Sequence, residues 1–398
     1  MISVEQAGEL IAAELPAYPV ETIPLAQSSG RVLRQLVKAE RDQPPFDRVT
    51  MDGIAYRYSD LARSFHLRGR VLAGDPPLAL DDPEGCLEVM TGCVMPKGAD
   101  TVVPVEQISV SDNQVTLNAD CQPRPGQFIH RKASDHSKGS PLLEPGQIIG
   151  MPEMAVLASA GLATVEVSYQ PSVSIVATGN ELVAAGDPIA PHQIRLSNGP
   201  AIQTGLDRNG FGQHACHHLP DTPALLEERI GNLLSETDIL ILSGGVSMGK
   251  ADFVPQVLNT LGVRQVFHKV TQRPGKPFWF GVSKEGKPVF ALPGNPVSAL
   301  VGFRRHILPA MFLSMGANPY PPELIALGAE QRFKPALTAF VAVSLSASAN
   351  GMRANPKPNN TSGDFAALAK TDGFIELDRA RELWQEGELV PFYRWNQA

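Results

Sequence analysis

Cysteine is scarce in this chain: four in 398 residues, at Cys86, Cys93, Cys121 and Cys216, with no CxxC spacing. That excludes a disulfide framework and predicts a reduced, cytoplasmic protein. Excess positive charge is missing too. The formal net charge of −7 argues against a duplex nucleic-acid binder, which must neutralise a phosphate backbone. No apolar run approaches the length that spans a bilayer, so no membrane association is expected. The opening MISVEQAGELIAAEL is acidic and amphipathic and lacks the basic region of a secretory signal. Absent as well are internal repeats, low-complexity segments and the GxGxxG fingerprint of a dinucleotide binder. One cluster, His214, Cys216, His217 and His218, has no second ligand pair nearby. It reads as a strand edge with alternating faces rather than a zinc site.

The hydrophobic content of 43% and charged content of 19% are those of a globular protein, and the length calls for two to four domains. The spacing predicts a helix over Glu5–Leu15, with Ala7, Leu10, Ile11 and Leu15 on one face. After the breaker DQPPFD (Asp42–Asp47), the text is β-like to about Lys138. A helix is expected over Pro152–Ala160 and a strand over Ala163–Val167. From Pro171 to about Leu313 short apolar runs alternate with helical segments Ala201–Asn209, Pro223–Leu234 and Pro296–Met311. Beyond the prolines Pro319, Pro321 and Pro322, the remainder alternates like a small antiparallel barrel or sandwich.

Glycine-rich loops follow three of those apolar runs: ATGNEL at Ala177–Leu182, SGGVSMGKAD at Ser243–Asp252 and LPGNPVSA at Leu292–Ala299. Strand, glycine loop and helix in succession predict an open α/β sheet whose loops gather at the strands' carboxyl ends, where small anions bind. In SGGVSMGKAD, Ser243, Gly244 and Gly245 let the backbone approach an anion, and Asp252 either orients a metal or ribose hydroxyl or caps the next helix. RPGKP (Arg273–Pro277) sets Lys276 on a stiff turn suited to an oxyanion, with Arg273 as a second donor. LPGNPVSA leaves Asn295 and Ser298 to donate near a helix start; turn chemistry and capping are the plainer roles of each loop. In the N-terminal half, PPFDRVTMDG carries Asp47 and Asp52, MTGCVMPKGADTVVPVE carries Thr91, Asp100 and Glu106, and IHRKASDHSKG carries Asp135. Composition alone gives these carboxylates no role beyond solvated turns.

Taken in order, PPFDxxxMDG, MTGxxxPxGADxVVPVE, LASAGLATVEV, TGNEL, SGGVSMGxAD, RPGKPFWFG and LPGNPVSA resemble the molybdopterin molybdenumtransferase family, that of MoeA and the gephyrin E-domain. TSGDFAALAKTDGFIEL extends the resemblance into the last section, so it covers almost the whole chain. The resemblance implies an α/β multidomain, MoeA-like fold with a β-rich N-terminal domain, an α/β molybdopterin-binding domain and a C-terminal small β-barrel. The expected divisions are 1–44 plus 139–170 as an elongated linker domain, 45–138 as the β-rich domain, 171–315 as the α/β domain and 316–398 as the barrel.

It further implies a transferase of molybdenum cofactor biosynthesis, a homodimer with Mg2+ as cofactor, which inserts molybdate into adenylylated molybdopterin and releases AMP. Contact with the molybdopterin adenylyltransferase would be a further partnership. By motif, Asp52, Thr91 and Asp135 would reach the cleft from the partner subunit. Glu181, Asp221 and Asp252 would be the α/β-domain acids, with Glu181 and Asp252 as Mg2+ ligands. Thr178, Gly179, Ser243, Gly244, Gly245 and Ser247 would hold the phosphate-bearing pterin, with Pro293, Gly294, Asn295 and Ser298 beside them. Lys276, Arg273, Pro277 and Ser362 would line the molybdate pocket. The chain departs from the family's pattern at Asn180, Lys250, Arg273, Ser134 and Ala342, which removes negative charge near the metal and alters the oxyanion contacts. A divergent paralogue that binds molybdopterin or a partner protein without completing insertion is the alternative.

Overall fold

The computed structural model describes all residues except Asp60, 247–252, Tyr320, Pro335, Asn350, 358–363, Phe365 and 397–398. The chain forms two compact units, one of residues 36–144 and 155–163, the other of residues 1–35, 145–154 and 164–398.

In the smaller unit the β-like text becomes a six-stranded sheet. Its order is Thr101–Pro104, Gly53–Tyr56, Gly85–Val89, Ser64–Val71, Gln114–Leu117, Ile108–Ser111. Gly53–Tyr56 is buried on both faces and central, paired antiparallel to both neighbours. Its first residue has to be glycine: a Cβ at Gly53 would lie 1.9 Å from the Val103 carbonyl oxygen. On either side of the sheet pack Val49, Val71, Leu87 and Val102, and Ile54, Tyr56, Phe65 and Val103.

The larger unit opens with the helix Val4–Glu14, one turn-fraction from the expected span and started by a capping box between Ser3 and Gln6. Its Val4, Ala7 and Ile11 join the core beneath the α/β sheet. That sheet has six strands: β1 Val173–Thr178, β2 His214–Leu219, β3 Ile239–Ser243, β4 Arg264–His268, β5 Trp279–Val282 and β6 Pro288–Leu292. Their order is β2-β1-β3-β6-β5-β4, with β2, β1, β3 and β6 parallel and β5 antiparallel to both neighbours. β1, β3 and β6 are buried throughout, as the near-continuous apolar runs require of parallel strands covered on both faces. The histidine-bearing β2 is an edge strand, as expected, but its burial does not alternate: Cys216 and His217 are both half-buried and only Leu219 is fully buried. Helices Asn198–Arg208, Pro223–Glu236 and Val254–Thr260 make the crossovers.

The helix expected over Pro296–Met311 is interrupted. It runs as Pro296–Gly302, a π-helical turn Phe303–Ile307 and a second helix Leu308–Ser314. Its five residues, FRRHI, set buried Phe303 and Ile307 four apart, a spacing that a regular helix would bury as well, so the wider turn leaves no mark in the pattern.

The final section closes into a barrel. Strand Thr338–Ser348 pairs with both Gly351–Pro356 and Gly373–Leu377, and Leu389–Arg394 bridges Gly373–Leu377 to Glu323–Leu327. It is not wholly antiparallel. Glu323–Leu327 runs parallel to Gly351–Pro356, and the short strand Gln272–Arg273 adds in parallel to Thr338–Ser348. Period-two alternation is blind to direction, so the sequence could not tell these pairings apart.

Two glycines test the packing with opposite signs. Gly53→Ala is expected to lower unfolding free energy by about 1–3 kcal/mol, because the added methyl meets backbone. Gly8→Ala, inside the first helix with nothing within 4 Å, is expected to raise it by about 0.5–1 kcal/mol. Denaturant titration of the two variants reads both.

Candidate functional site

Register brings the motif loops of the larger unit to one place. Thr178 pairs with Leu219, Ala177 with Ser243, and Ser243 with Leu292, so four parallel strands end level. Strand order reverses between β1 and β3, and such a switch point leaves a crevice at the carboxyl ends.

Side chains are kept out of that crevice. Gly244 (φ 105°) and Gly245 (φ 63°) are in left-handed backbone, and a Cβ on Gly244 would lie 2.4 Å from the Thr178 carbonyl oxygen. Gly294 sits beside Gly244, its virtual Cβ 3.7 Å from the Gly244 Cα. Asn198 ties these loops together, its Nδ2 donating to Ser243 Oγ (2.8 Å) and to the Gly294 carbonyl (2.8 Å). Two buried polar atoms here lack partners among the described residues, Thr178 Oγ1 and Asn198 Oδ1. Unpaired buried hydroxyl and amide oxygens at a glycine-walled crevice suit a polar ligand that completes them.

The acids lie at the same end. The Glu181 carboxylate folds over Gly179, whose virtual Cβ would meet it at 2.6 Å, and Glu181 itself is exposed. Asn180 Oδ1 accepts from the Asp221 amide (3.1 Å), which joins the β1 and β2 loops and brings Asp221 beside Glu181's loop. His218 bonds the Gly179 carbonyl (2.9 Å), and His268 the Val246 carbonyl (3.2 Å). The departure at Asn180 thus has a task of its own, holding two ligand loops together.

RPGKP is held from below. Buried Gln272 donates through Nε2 to the carbonyls of Pro274 (3.3 Å) and Gly275 (3.2 Å), and its Oε1 meets Nε2 of His306 (3.0 Å). His306 sits in the π-helical turn and stacks on Phe278 at 4.9 Å. Gln272 needs a donor at its Oε1, so His306 carries its proton on Nε2, and Nδ1 is left without a partner among the described residues. Burial, helped by the neighbouring Arg305 charge, pushes the His306 pKa well below its ordinary value and keeps the ring neutral. Above this support Lys276 and Arg273 are exposed, and Arg273 lies 5.9 Å from the Phe333 ring centroid. Gly275 abuts Ser298, its virtual Cβ 3.5 Å from the Ser298 carbonyl oxygen. Pro277 follows in the same turn, and Pro293, Gly294 and Asn295 in the adjacent loop.

The smaller unit holds the remaining acids. Because Gly53 pairs with Val89, Asp52 falls beside the turn after Val89. Its Oδ1 accepts from the Thr91 amide (2.6 Å) and hydroxyl (2.7 Å), and these bonds lower its pKa and hold it ionised. Asp135 takes a different partner, His130 Nε2 (2.9 Å), whose Nδ1 meets Arg48 (3.0 Å). Ser134 donates its amide to the Arg131 carbonyl (3.2 Å) and leaves Asp135 as the acid of that turn.

Of the expected residues, Thr178, Gly179, Glu181, Asp221, Ser243, Gly244, Gly245, Arg273, Lys276, Pro277, Pro293, Gly294, Asn295 and Ser298 therefore come to one end of one unit. Asp52, Thr91 and Asp135 lie in the other. Ser247, Asp252, Ser362 and the departure Lys250 fall outside the described residues. Asn198, Gln272 and His306 have no signal in the sequence, since each works through a bond to a residue distant in it, and His218, read there only as part of a strand edge, meets the Gly179 carbonyl. Ala342 is buried in an apolar cluster with Val297 and Leu368, so that position presents no cation.

Neutral His306 and His268 give the site a pH signature. Both have pKa values lowered by burial, so between the unfolded value near 6.5 and the lower folded value the unfolded state binds more protons. Stability is expected to fall as pH drops through and below about 6.5. His306→Phe should flatten that decline while costing about 1–3 kcal/mol at pH 8, where Gln272 Oε1 is left unpaired. Thermal unfolding between pH 5 and 8 would show both effects.

Family models match three consecutive stretches: MoeA N-terminal region (domain I and II) over residues 2–161, probable molybdopterin binding domain over 174–312, and MoeA C-terminal region (domain IV) over 326–395. A molybdopterin molybdenumtransferase of Synechocystis is 40% identical over 99% of this chain and 100% of its own. That of Haemophilus influenzae is 32% identical, covering 100% and 99%. The crystal structure of the molybdopterin biosynthesis moeA protein from Pyrococcus horikoshii superposes with a TM-score of 0.82 at 26% identity, over 99% of this chain and 100% of that one. Motif order, level strand ends and full-length similarity agree, and the chain belongs to the molybdopterin molybdenumtransferase (MoeA) family.

Proposed function

We propose that this protein inserts molybdate into adenylylated molybdopterin with release of AMP, as a transferase of molybdenum cofactor biosynthesis. The observation that carries the reading is the convergence of four motif loops on one crevice, with a rigidly seated lysine at its edge. The loops of Thr178–Glu181, Ser243–Val246, Gly294–Ser298 and Pro274–Lys276 are linked by Asn198, by glycine contacts and by Gln272.

The glycine loops and Thr178 Oγ1 offer hydrogen bonds to the phosphate-bearing pterin without side chains in the way. Lys276 and Arg273 offer positive charge to molybdate, with Ser298 adjoining their turn, and Ser362 is proposed by its motif position alone to serve the same pocket. Lys276 makes no ion pair among the described residues, so its charge is available to a substrate oxyanion. Seating by Gln272 and His306 fixes the turn before the substrate arrives, which lowers the cost of ordering on binding.

Mg2+ is the proposed cofactor, with Glu181 and Asp252 as ligands and Asp221 alongside. Among the described residues no three acidic, cysteine or histidine side chains converge on one point. The fit is to a magnesium ion that keeps most of its waters and takes one or two carboxylates together with substrate phosphates. When bound, the ion supplies neutralisation of the phosphate charge. The protein is proposed to act as a homodimer in which Asp52, Thr91 and Asp135 serve the partner's site. The adenylyltransferase that makes the substrate is a proposed contact.

Buried Ala342 favours a second reading, a paralogue that binds the pterin but grips the oxyanion too weakly for insertion. Purified protein incubated with adenylylated molybdopterin, molybdate and Mg2+ separates the two. AMP release is expected only with molybdate present, and Lys276→Ala or Asp52→Ala should reduce it by about tenfold or more. Pterin binding without AMP release would establish the second reading instead. Light scattering should give twice the chain mass; a monomer would rule out a site completed by a partner.

A further inference from the structure

Away from the motif loops, the larger unit has a cavity of about 410 Å3 bounded by the helix Asn198–Arg208, the π-helical turn and the barrel segments at Leu368–Thr371 and Trp395–Asn396. Phe303, Leu308, Leu368 and Trp395 give it apolar walls, broken by polar Asn209 and Asn396. Phe303 lies against Gly205, where a Cβ would come within 2.6 Å of the ring. Trp395 donates through Nε1 to Thr371 Oγ1 (2.9 Å), whose hydroxyl donates in turn to the Leu368 carbonyl (2.7 Å). The indole also packs 5.0 Å from Phe374.

The charge inside is unbalanced. Arg304 lines the cavity half-buried, and its Nε donates to the Arg394 carbonyl at 2.7 Å. Among the described residues its terminal nitrogens have no acceptor and no carboxylate within 4.0 Å, yet they are not sealed from solvent. The nearby cations are already paired: Arg305 with Glu376 (2.8 Å) and Arg394 with Glu323 (2.8 Å). Burial lowers the Arg304 pKa, and the attraction of Glu323, which is paired with Arg394, does not offset it.

A planar fork of donors facing an aromatic-walled cavity matches a carboxylate on a flat apolar body. One unpaired cation, with Glu323 close behind, favours a single negative charge over the two of a phosphate ester. We propose that this cavity is a second ligand site, taking a small aryl or similarly flat organic monocarboxylate, with Arg304 as its anchor and Phe303 and Trp395 as its walls. Its lining residues are separate from the loops assigned to pterin and molybdate, so the inference does not depend on that assignment.

Calorimetric titration of the full-length protein with 2-naphthoate, 2-naphthamide and 2-naphthyl phosphate tests it. Naphthoate is expected to bind once per chain, with the uncharged amide and the phosphate each about tenfold weaker or worse. Arg304→Met should weaken naphthoate about tenfold and leave the amide unchanged. Ala201→Phe, which narrows the cavity but keeps the cation, should weaken naphthoate and amide alike, and it decides the matter if Arg304→Met does not fold. Equal binding of acid and amide, tighter binding of the phosphate, or naphthoate affinity indifferent to both variants would overturn the proposal.

Discussion

Everything at the proposed site depends on how closely backbone approaches backbone at the ends of β1, β3 and β6. Thr178, Gly244 and Gly294 touch without intervening side chains, and that contact is what lets three loops share one crevice. The sheet makes it possible by ending its parallel strands at one level. Asn198 makes it specific, since one amide bonds two of the loops at once. A bulkier residue at Gly244 would not merely crowd a ligand. It would separate the strands' ends and dissolve the site's geometry before any ligand arrived.

Support from beneath is the second theme. Gln272 and His306 are buried polar residues: Gln272 commits its amide nitrogen to the RPGKP turn, and His306 holds Gln272 in place. Buried polar networks are costly when half satisfied and rigid when complete. Here the one loose end of the pair among the described residues, His306 Nδ1, is on the residue that reaches the turn only through Gln272, so the lysine loop itself rests on satisfied bonds. A lysine on a flexible loop would lose entropy on meeting an oxyanion; one seated like this has lost it on folding.

Much of this was legible in the sequence, because the motifs are contiguous and their chemistry is local. Apolar runs ahead of glycine loops revealed the strands, and the glycines revealed where backbone must pass close. Harder to read were features that join distant segments. Asn198 looks like an ordinary helix-start residue, and His306 like the last of three basic residues, after Arg304 and Arg305, on a helix. The direction of strand pairing in the barrel was hidden because alternation is the same for either sense. The Asp52–Thr91 pair arises from sheet register, which neither motif announces alone.

The π-helical turn at Phe303–Ile307 has a geometric effect beyond seating His306. It adds a residue to one revolution, so consecutive side chains turn through a smaller angle than in a regular helix and those that follow are shifted in phase. Phe303 and Arg304 face the cavity, Arg305 reaches Glu376 on the barrel, and His306 turns into the sheet's core. Four adjacent residues thereby address three different compartments. Deleting any one of them would rephase the helix by roughly a hundred degrees, swapping which residue meets which compartment. The length of this short segment, more than its composition, is therefore what couples the barrel to the catalytic sheet.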